Sequence, residues 1–187
     1  MARLSVFNFV TLNGYFEGAN KDISWHRHGA EESDYAAEGA KSDSILLFGR
    51  VTYQMMASYW PTPRAMEDYP DVAEGMNRSA KIVFSRTLKK AEWSNTRLVK
   101  DNMVEEVKKL KRQGKKDLTI LGSGSIVTQL AEAGLIDQYQ IMLDPVALGS
   151  GTSLFQGMKK KLDLKLTSTR SFKSGVILLT YEPIGTK

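Results

Sequence analysis

Residues 118–127 read LTILGSGSIV, a short apolar run followed by a glycine-rich turn and a second apolar segment. The first four residues are typical of a buried strand, because they are apolar and are followed directly by glycine. The spacing after the turn predicts a helix from about Ser125 to Ala133, with Gly134 as its stop. A strand, a tight turn and a helix in this order are the building unit of an α/β fold.

The same alternation extends through the rest of the chain. Strands are predicted over 4–10, 45–48, 81–85 and 98–99, helices over 31–42, 50–59 and around 104–110, and C-terminal strands around 139–143, 162–166 and 176–180. The turn of the last hairpin is expected at 173–175. We therefore predict one domain over residues 1–187, a three-layer α/β/α fold. Its mixed central sheet is mostly parallel and ends in an antiparallel C-terminal hairpin.

Composition narrows the classes of function. The 187 residues include 42% hydrophobic and 25% charged residues, with a net charge of +5, two histidines and no cysteine. This excludes disulfides, thiolate metal sites and a three-histidine zinc site, and we expect no metal. No apolar run is long enough for a membrane span, and we expect a cytoplasmic location. The basic runs at 108–116 and 159–161 are interpreted as solvated surfaces, and attraction of an anion or nucleic acid is the alternative.

Three turns carry residues that bind anions. The glycine turn at 122–126 would aim free helix amides at a phosphate, although a plain tight turn explains the same residues. A Rossmann site, with Asp144 on a ribose, is a minority alternative, because Val127 replaces the third glycine. The other two turns are 49–53, with a threonine and an arginine, and the pair at 85–86. All three follow predicted parallel strands, so they are expected at one sheet edge.

Five ordered segments resemble the dihydrofolate-reductase-like superfamily. They are FVTLNGY at 9–15, LFGRVTY at 47–53, KIVFSR at 81–86, GSGSIV at 122–127 and LDPVALGSG at 143–151. The resemblance is greatest to the reductase domain of the bifunctional riboflavin-biosynthesis deaminase/reductase, in its stand-alone form. It implies an NADPH site, with Ser85 and Arg86 at the 2′-phosphate. The implied cofactor residues are Val10, Gly49, Arg50, Thr52, Ser85, Arg86, Leu121, Gly122, Ser123, Gly124, Ser125 and Ile126.

The substrate side is less well specified by the sequence. The candidates are Asn13, Gly14, Trp25, Trp60 and Asp144. Asn13 stands where the family usually has aspartate, and Trp25 lies with His26 and His28 in a loop that could cover the pocket. Asp144 could orient a pyrimidine-like ring, or it could simply begin an Asp-Pro turn. Trp60 could stack on a substrate ring or pack in the core.

The catalytic residues stay unassigned at this stage. Glu31, Glu32 and Asp34 are interpreted as solvated helix charges, which argues against true dihydrofolate reduction. The sequence predicts an NADPH-dependent reductase of a small nitrogen heterocycle, resembling 5-amino-6-(5-phosphoribosylamino)uracil reductase. The alternatives are dihydrofolate reductase and a non-catalytic nucleotide-binding protein. We expect a homodimer that acts on a small molecule and binds neither nucleic acid nor membrane.

Overall fold

A computed structural model describes residues 1–185, and the last two residues of the predicted domain lie outside that range. The strands are β1 (Leu4–Thr11), β2 (Tyr15–Gly18), β3 (Ile45–Gly49), β4 (Lys81–Phe84), β5 (Thr96–Val99), β6 (Leu118–Leu121), β7 (Gln138–Asp144), β8 (Gly151–Ser153), β9 (Leu164–Ser171) and β10 (Ile177–Pro183). The helices are α1 (Ala30–Ala40), α2 (Arg50–Tyr59), α3 (Pro63–Asp68), α4 (Pro70–Arg78), α5 (Met103–Gln113) and α6 (Gly124–Glu132), and a 3-10 turn spans Ala19–Lys21.

Eight strands form one sheet in the order β5-β4-β3-β6-β1-β7-β10-β9. The first six are parallel to their neighbours, and β10 pairs antiparallel with both β7 and β9. The predicted mixed sheet and its antiparallel C-terminal hairpin are therefore confirmed. The small β2–β8 sheet was not predicted, because both strands are short and their register shifts between Tyr15 and Glu17.

The alternation along β1 sets the three layers. Val6 points to the face where Val107 of α5 and Leu130 of α6 pack. Phe7 points the other way, toward the cluster that includes Met142 and Tyr35 of α1. Helices α2 and α4 cover the same face of the sheet as α1, further along, around β3 and β4. Helices thus lie on both sides of the sheet, as a parallel sheet requires.

Some predicted boundaries were wrong by a few residues. The first long helix begins at Ala30 and ends at Ala40, and β9 runs from Leu164 to Ser171, beyond the predicted alternation. The turn at 173–175 is confirmed, since Gly175 has φ +90° and donates its amide to the Phe172 carbonyl at 3.0 Å. Within residues 1–185, no helix is long and apolar enough to cross a membrane.

Lys81 is a buried cation that fastens the end of α4. Its Nζ donates to the carbonyls of Met76, Asn77 and Ser79 at 2.8, 3.2 and 2.7 Å and lies 4.5 Å from the centre of the Trp93 ring. These carbonyls come from the last turn of the helix and the residue after it, where no intrahelical donor reaches them. Burial lowers the pKa of Lys81 to about 8.

We expect Lys81→Met to lower the free energy of unfolding by about 2 kcal/mol, because three carbonyls lose a charged donor. Urea unfolding at pH 7 measures this. Lys165→Met, on the exposed strand β9, is the control and is expected to change little. Equal midpoints for both variants would contradict the role given to Lys81.

Candidate cofactor and substrate site

A cleft of about 910 Å³ opens at the carboxyl ends of the parallel strands. It is lined by Gly49, Phe84 and Val99, the last residues of β3, β4 and β5, and by Ser123 just after β6. Neighbouring strands also end at different heights at this edge of the sheet. The pairing of β1 with β6 stops at Phe7 and Leu121, whereas β1 continues beside β7 to Thr11. The chain beyond Leu121 turns away into α6 and leaves a gap beside the upper half of β1. Open α/β sheets bind their ligands at such an edge.

Ser123 links two turns of this cleft by hydrogen bonds. Its Oγ accepts the amide of Gly49 at 3.0 Å and donates to the Leu121 carbonyl at 3.1 Å. Its own amide donates to Thr52 Oγ1 at 3.1 Å. The start of α2 and the start of α6 are therefore held at a fixed separation by one buried serine.

The glycine turn brings the backbone close to the cleft. Gly122 and Ser123 have φ values of +58° and +63°, a left-handed conformation that turns the chain sharply from β6 into α6. A Cβ on Gly124 would lie 2.7 Å from Cε1 of Phe16, so only glycine fits beneath that ring. The first-turn amides of α2 have no intrahelical acceptors. In α6 the amides of Ile126 and Val127 donate to the Ser123 carbonyl at 3.0 and 3.1 Å, so those of Gly124 and Ser125 are the ones left for an anion.

Cations and carboxylates both line the cleft. Arg50 and Lys100 lie along it, and Arg86 Nε pairs with Asp101 Oδ1 at 3.2 Å. The Arg86 side chain is 83% exposed, so this pair contributes little to stability and can exchange for a phosphate. A long cleft with two helix N-termini and an exchangeable arginine fits a phosphorylated dinucleotide.

The predicted cofactor residues are found in two places. All line the cleft except Val10, Leu121 and Gly122. Val10 is buried in the core beneath α6, and Leu121 packs toward α2 on the other face. Gly122 forms the turn behind the cleft. Contact with a cofactor stays a prediction for the whole set.

Asp144 marks a second polar site, on the α1 side of the sheet. It ends β7, has no exposed surface, and its Oδ1 accepts the amide of Arg27 at 3.0 Å. Its Oδ2 has no hydrogen-bond partner among the described residues. Burial raises the pKa of Asp144, and the Arg27 amide opposes that shift. A buried carboxyl with a free oxygen is equipped to meet a polar ligand.

The loop at 22–29 covers this carboxyl. The ring of His26 stacks on Phe9 with centroids 4.5 Å apart, and its buried Nε2 has no partner within residues 1–185. Burial and the nearby His28 lower the pKa of His26 to about 4, so the ring is neutral at pH 7. Trp25 packs edge-on against His26, and its Nε1 bonds the Asp22 carbonyl. The loop therefore lies over Asp144, with Trp25 on it, and contact of this loop with a substrate stays a prediction.

Glu32 corrects the sequence analysis. It was interpreted as a solvated charge, but it is only 4% exposed. Its Oε2 accepts the Gly29 amide at 3.0 Å, and its Oε1 accepts the hydroxyl of Ser174. Glu32 lies three residues after Gly29, the residue that precedes the first turn of α1. A glutamate at this position is typical of a capping box, and the sequence analysis missed that signal. Glu31, by contrast, pairs with Lys173 at the surface.

Three substrate candidates have structural roles. The Asn13 amide accepts from Thr11 Oγ1 and exchanges two hydrogen bonds with the backbone of Leu148, so it joins β1 to a neighbouring loop. Gly14, at φ +88°, forms the turn after β1. Trp60 packs with the second core cluster beside α2, outside the cleft. Contact of Trp60 with a substrate stays a prediction.

The sequence analysis missed one residue that lines the cleft and one buried amide. Phe16 lines the cleft from β2, and Asn8 is a buried amide on β1. Asn8 had a visible signal, because it occupies an inward position between Val6 and Val10 in an alternating strand. A polar residue at a core position requires a partner.

This sheet order, with a cleft at its carboxyl edge and an antiparallel C-terminal hairpin, defines the dihydrofolate-reductase-like fold. The chain belongs to the RibD C-terminal domain family, whose model matches residues 2–178. Membership of this family supports an oxidoreductase of the riboflavin-biosynthesis type.

Individual proteins agree with this assignment. The uncharacterized protein YyaP of Bacillus subtilis (strain 168) is 31% identical over 173 residues, 92% of this chain and 90% of that protein. A Shewanella sp. PV-4 protein, provisionally assigned to riboflavin biosynthesis, superposes with TM-score 0.74 at 20% identity, covering 99% and 100% of the two chains. Enterococcus faecalis dihydrofolate reductase, solved with NADP(H), gives TM-score 0.63 at 18% identity, covering 98% and 97%. At such identities the structural matches show the fold alone.

We expect Ser123→Ala to lower the free energy of unfolding by about 1.5 kcal/mol, because the buried amide of Gly49 loses its acceptor. Ser125→Ala is the matched control, since its hydroxyl lies on the same turn but is exposed. Urea midpoints of the two variants give the comparison. A Ser123 variant as stable as the control would show that the hydrogen bonds of Ser123 contribute nothing to the free energy of unfolding.

Asp144→Asn is expected to stabilise the protein at pH 7 by about 1 kcal/mol, because a buried unpaired charge is removed. The pKa of the folded carboxyl lies above its ordinary 3.8, so the folded state binds this proton more tightly. Ionisation of Asp144 therefore lowers stability as the pH rises. The advantage of the variant should vanish below pH 3.8 and grow toward neutrality in denaturant titrations. A destabilised variant at pH 7 would contradict this account.

Proposed function

We propose that the protein is an NADPH-dependent reductase that acts on a small nitrogen heterocycle, resembling 5-amino-6-(5-phosphoribosylamino)uracil reductase. The observation that carries the proposal is the cleft, in which Ser123 fixes two helix N-termini beside the exchangeable guanidinium of Arg86. The family and the NADP(H) in the complex of Enterococcus faecalis dihydrofolate reductase support it.

Different residues of the cleft would bind different parts of the cofactor. The amides of Gly124 and Ser125 at the start of α6 would bind the pyrophosphate. Ser85 and Arg86 would flank the ribose 2′-phosphate, because a guanidinium matches phosphate geometry with two donors. Bound in this way, the cofactor supplies a hydride, and the protein supplies orientation and electrostatics.

The substrate would bind on the α1 side of β1. Asp144 Oδ2 is free, buried and held in place through the Arg27 amide on the other oxygen. A carboxyl of this kind accepts a hydrogen bond from a ring N–H or amino group when ionised, and donates one when protonated. The raised pKa of Asp144 suits it to pass a proton to a substrate nitrogen or oxygen.

Dihydrofolate reduction is the second candidate. The sequence argued against it, but the burial of Glu32 at the start of α1 favours it. Each oxygen of Glu32, however, already accepts a hydrogen bond from the chain, from Gly29 and from Ser174. Asp144 keeps a free oxygen, so we place the substrate against Asp144.

We also propose, on the resemblance alone, a homodimer in the cytoplasm without a nucleic-acid partner. Light scattering of the purified protein tests the dimer.

Calorimetric titration with NADPH and NADH tests the cofactor. We expect NADPH to bind more tightly, and Arg86→Ala to lower its affinity about tenfold, because a charge-assisted contact is lost. NADH affinity should hardly change. Arg78→Ala is the control, since Arg78 ends α4 and pairs with Glu74 away from the cleft.

Each other result has a definite meaning. If neither dinucleotide binds at millimolar concentration, the reductase proposal fails and a different binding role comes first. A preference for NADH would contradict the placement of Arg86. If NADPH binds as expected, pteridines and aminopyrimidines are each incubated with the protein and NADPH. The compound that causes NADPH absorbance to fall is the substrate. Asp144→Asn should then reduce turnover while leaving NADPH affinity unchanged.

A further inference from the structure

Arg86 and Asp101 form an ion pair at the ends of two neighbouring strands. Strand β4 ends at Phe84 and β5 ends at Val99, and these two residues are partners in the parallel sheet. The Ser85 amide extends the pairing by donating to the Val99 carbonyl at 3.0 Å. Arg86 and Asp101 each lie two residues beyond a strand end, and Arg86 Nε is 3.2 Å from Asp101 Oδ1. The sheet register therefore brings this cation and this carboxylate together.

Both members of the pair are accessible to a ligand. Their side chains are 83% and 67% exposed, and both residues line the cleft of about 910 Å³. An ion pair so exposed to water contributes little to the stability of a fold. Stability therefore does not explain why a carboxylate lies beside the one arginine that is suited to a 2′-phosphate.

The pair interacts differently with two kinds of ribose. A 2′-phosphate competes with the Asp101 carboxylate for the guanidinium of Arg86 and is repelled by the carboxylate. A ribose with free 2′- and 3′-hydroxyls is uncharged and offers hydrogen-bond donors. Asp101 Oδ1 faces Arg86, which leaves Oδ2 to accept from a hydroxyl. In dinucleotide sites a carboxylate holds the 2′-hydroxyl and an arginine holds the 2′-phosphate. Here the two groups lie side by side.

The neighbouring charges keep this part of the cleft close to neutral. Lys100 precedes Asp101, and Glu105 lies on the first turn of α5, paired with Lys108 at 2.8 Å. Among the cleft residues at 84–86 and 99–105, two cations, Arg86 and Lys100, therefore face two carboxylates. A site for a phosphate alone is better served by an excess of positive charge. The observed balance favours a site that also accepts an uncharged ribose.

We propose that Asp101 is a specificity-determining residue that lets the cleft accept NADH as well as NADPH. Its carboxylate accepts from the ribose hydroxyls of NADH while it stays paired with Arg86, whereas the 2′-phosphate of NADPH displaces it from Arg86. NADPH remains the tighter ligand, because a guanidinium binds phosphate through two charge-assisted bonds. The margin is smaller than Arg86 alone would give. This inference rests on the proposed binding of a nicotinamide dinucleotide.

Asp101→Asn tests the role, because it removes the charge and keeps the size of the side chain. Calorimetric titrations with NADPH and NADH are made at low ionic strength, where exposed charges are least screened. We expect the variant to bind NADPH about fivefold more tightly and NADH about threefold more weakly. The opposite directions are the decisive result, since damage to the cleft would weaken both ligands.

Glu105→Gln is the matched control, because it removes the same charge from an exposed residue of the same cleft. It should change both affinities by less than about twofold. Two fragments locate the effect of Asp101→Asn on the ligand. The affinity for 2′,5′-ADP should rise as that for NADPH does, and the affinity for 5′-AMP should fall as that for NADH does, since each pair shares its adenosine ribose.

The outcomes separate this inference from the proposed function. If the parent binds NADPH but no NADH at millimolar concentration, or if Asp101→Asn leaves the ratio of the two affinities unchanged, only this inference fails. Equal weakening of both ligands would show a structural role for Asp101, and an equal response of the Glu105 variant would show a general effect of charge. Each of these results contradicts the assignment. If the parent binds neither dinucleotide, the proposed function fails together with this inference.

Discussion

The hydrogen bonds of Ser123 are the interaction on which the site depends. The short strand β6 has to end at Leu121 and turn sharply, while β1 continues to Thr11. Two consecutive left-handed residues make that turn, and the second of them is not glycine. The energetic cost is offset by the bonds of Ser123 to Gly49, Thr52 and Leu121. A single side chain thus stabilises the strained turn and fixes the two helix ends that face the cleft.

In the proposed function, strand β1 separates the cofactor from the substrate. Consecutive side chains leave it in opposite directions, Asn8 toward the face of Val6 and Val10, where α6 packs, and Phe9 toward His26. Beyond Phe7 one edge of the strand has no neighbour in the sheet. A reductase must bring a hydride donor and an acceptor into contact while holding them by separate sets of groups. A strand with one open edge satisfies both requirements.

The fold could be predicted from the sequence because its signals are local. Buried strands ended by glycine and helices with spaced apolar residues identify the layers, and LTILGSGSIV identifies the turn that opens the cleft. The three turns at the cleft could also be predicted, since each is built from consecutive residues. On the α1 side the sequence indicated Asp144, but not its burial or its neighbours. Asp144, Arg27 and Glu32 come from three separate segments, and their burial depends on how α1 and the loop at 22–29 pack on β7.

The unpartnered polar atoms indicate where stability has been given up for binding. Asn8, His26 and Asp144 are the buried side chains with unpaired atoms within residues 1–185, and all three lie around the upper half of β1. A core selected for stability alone would carry apolar residues at these positions. By contrast Lys81, far from the cleft, is buried with all its donors engaged. The same chain therefore satisfies a buried charge where only structure is needed and leaves polar atoms unpaired around the upper half of β1. That difference favours the upper half of β1 as the place where a ligand would bind.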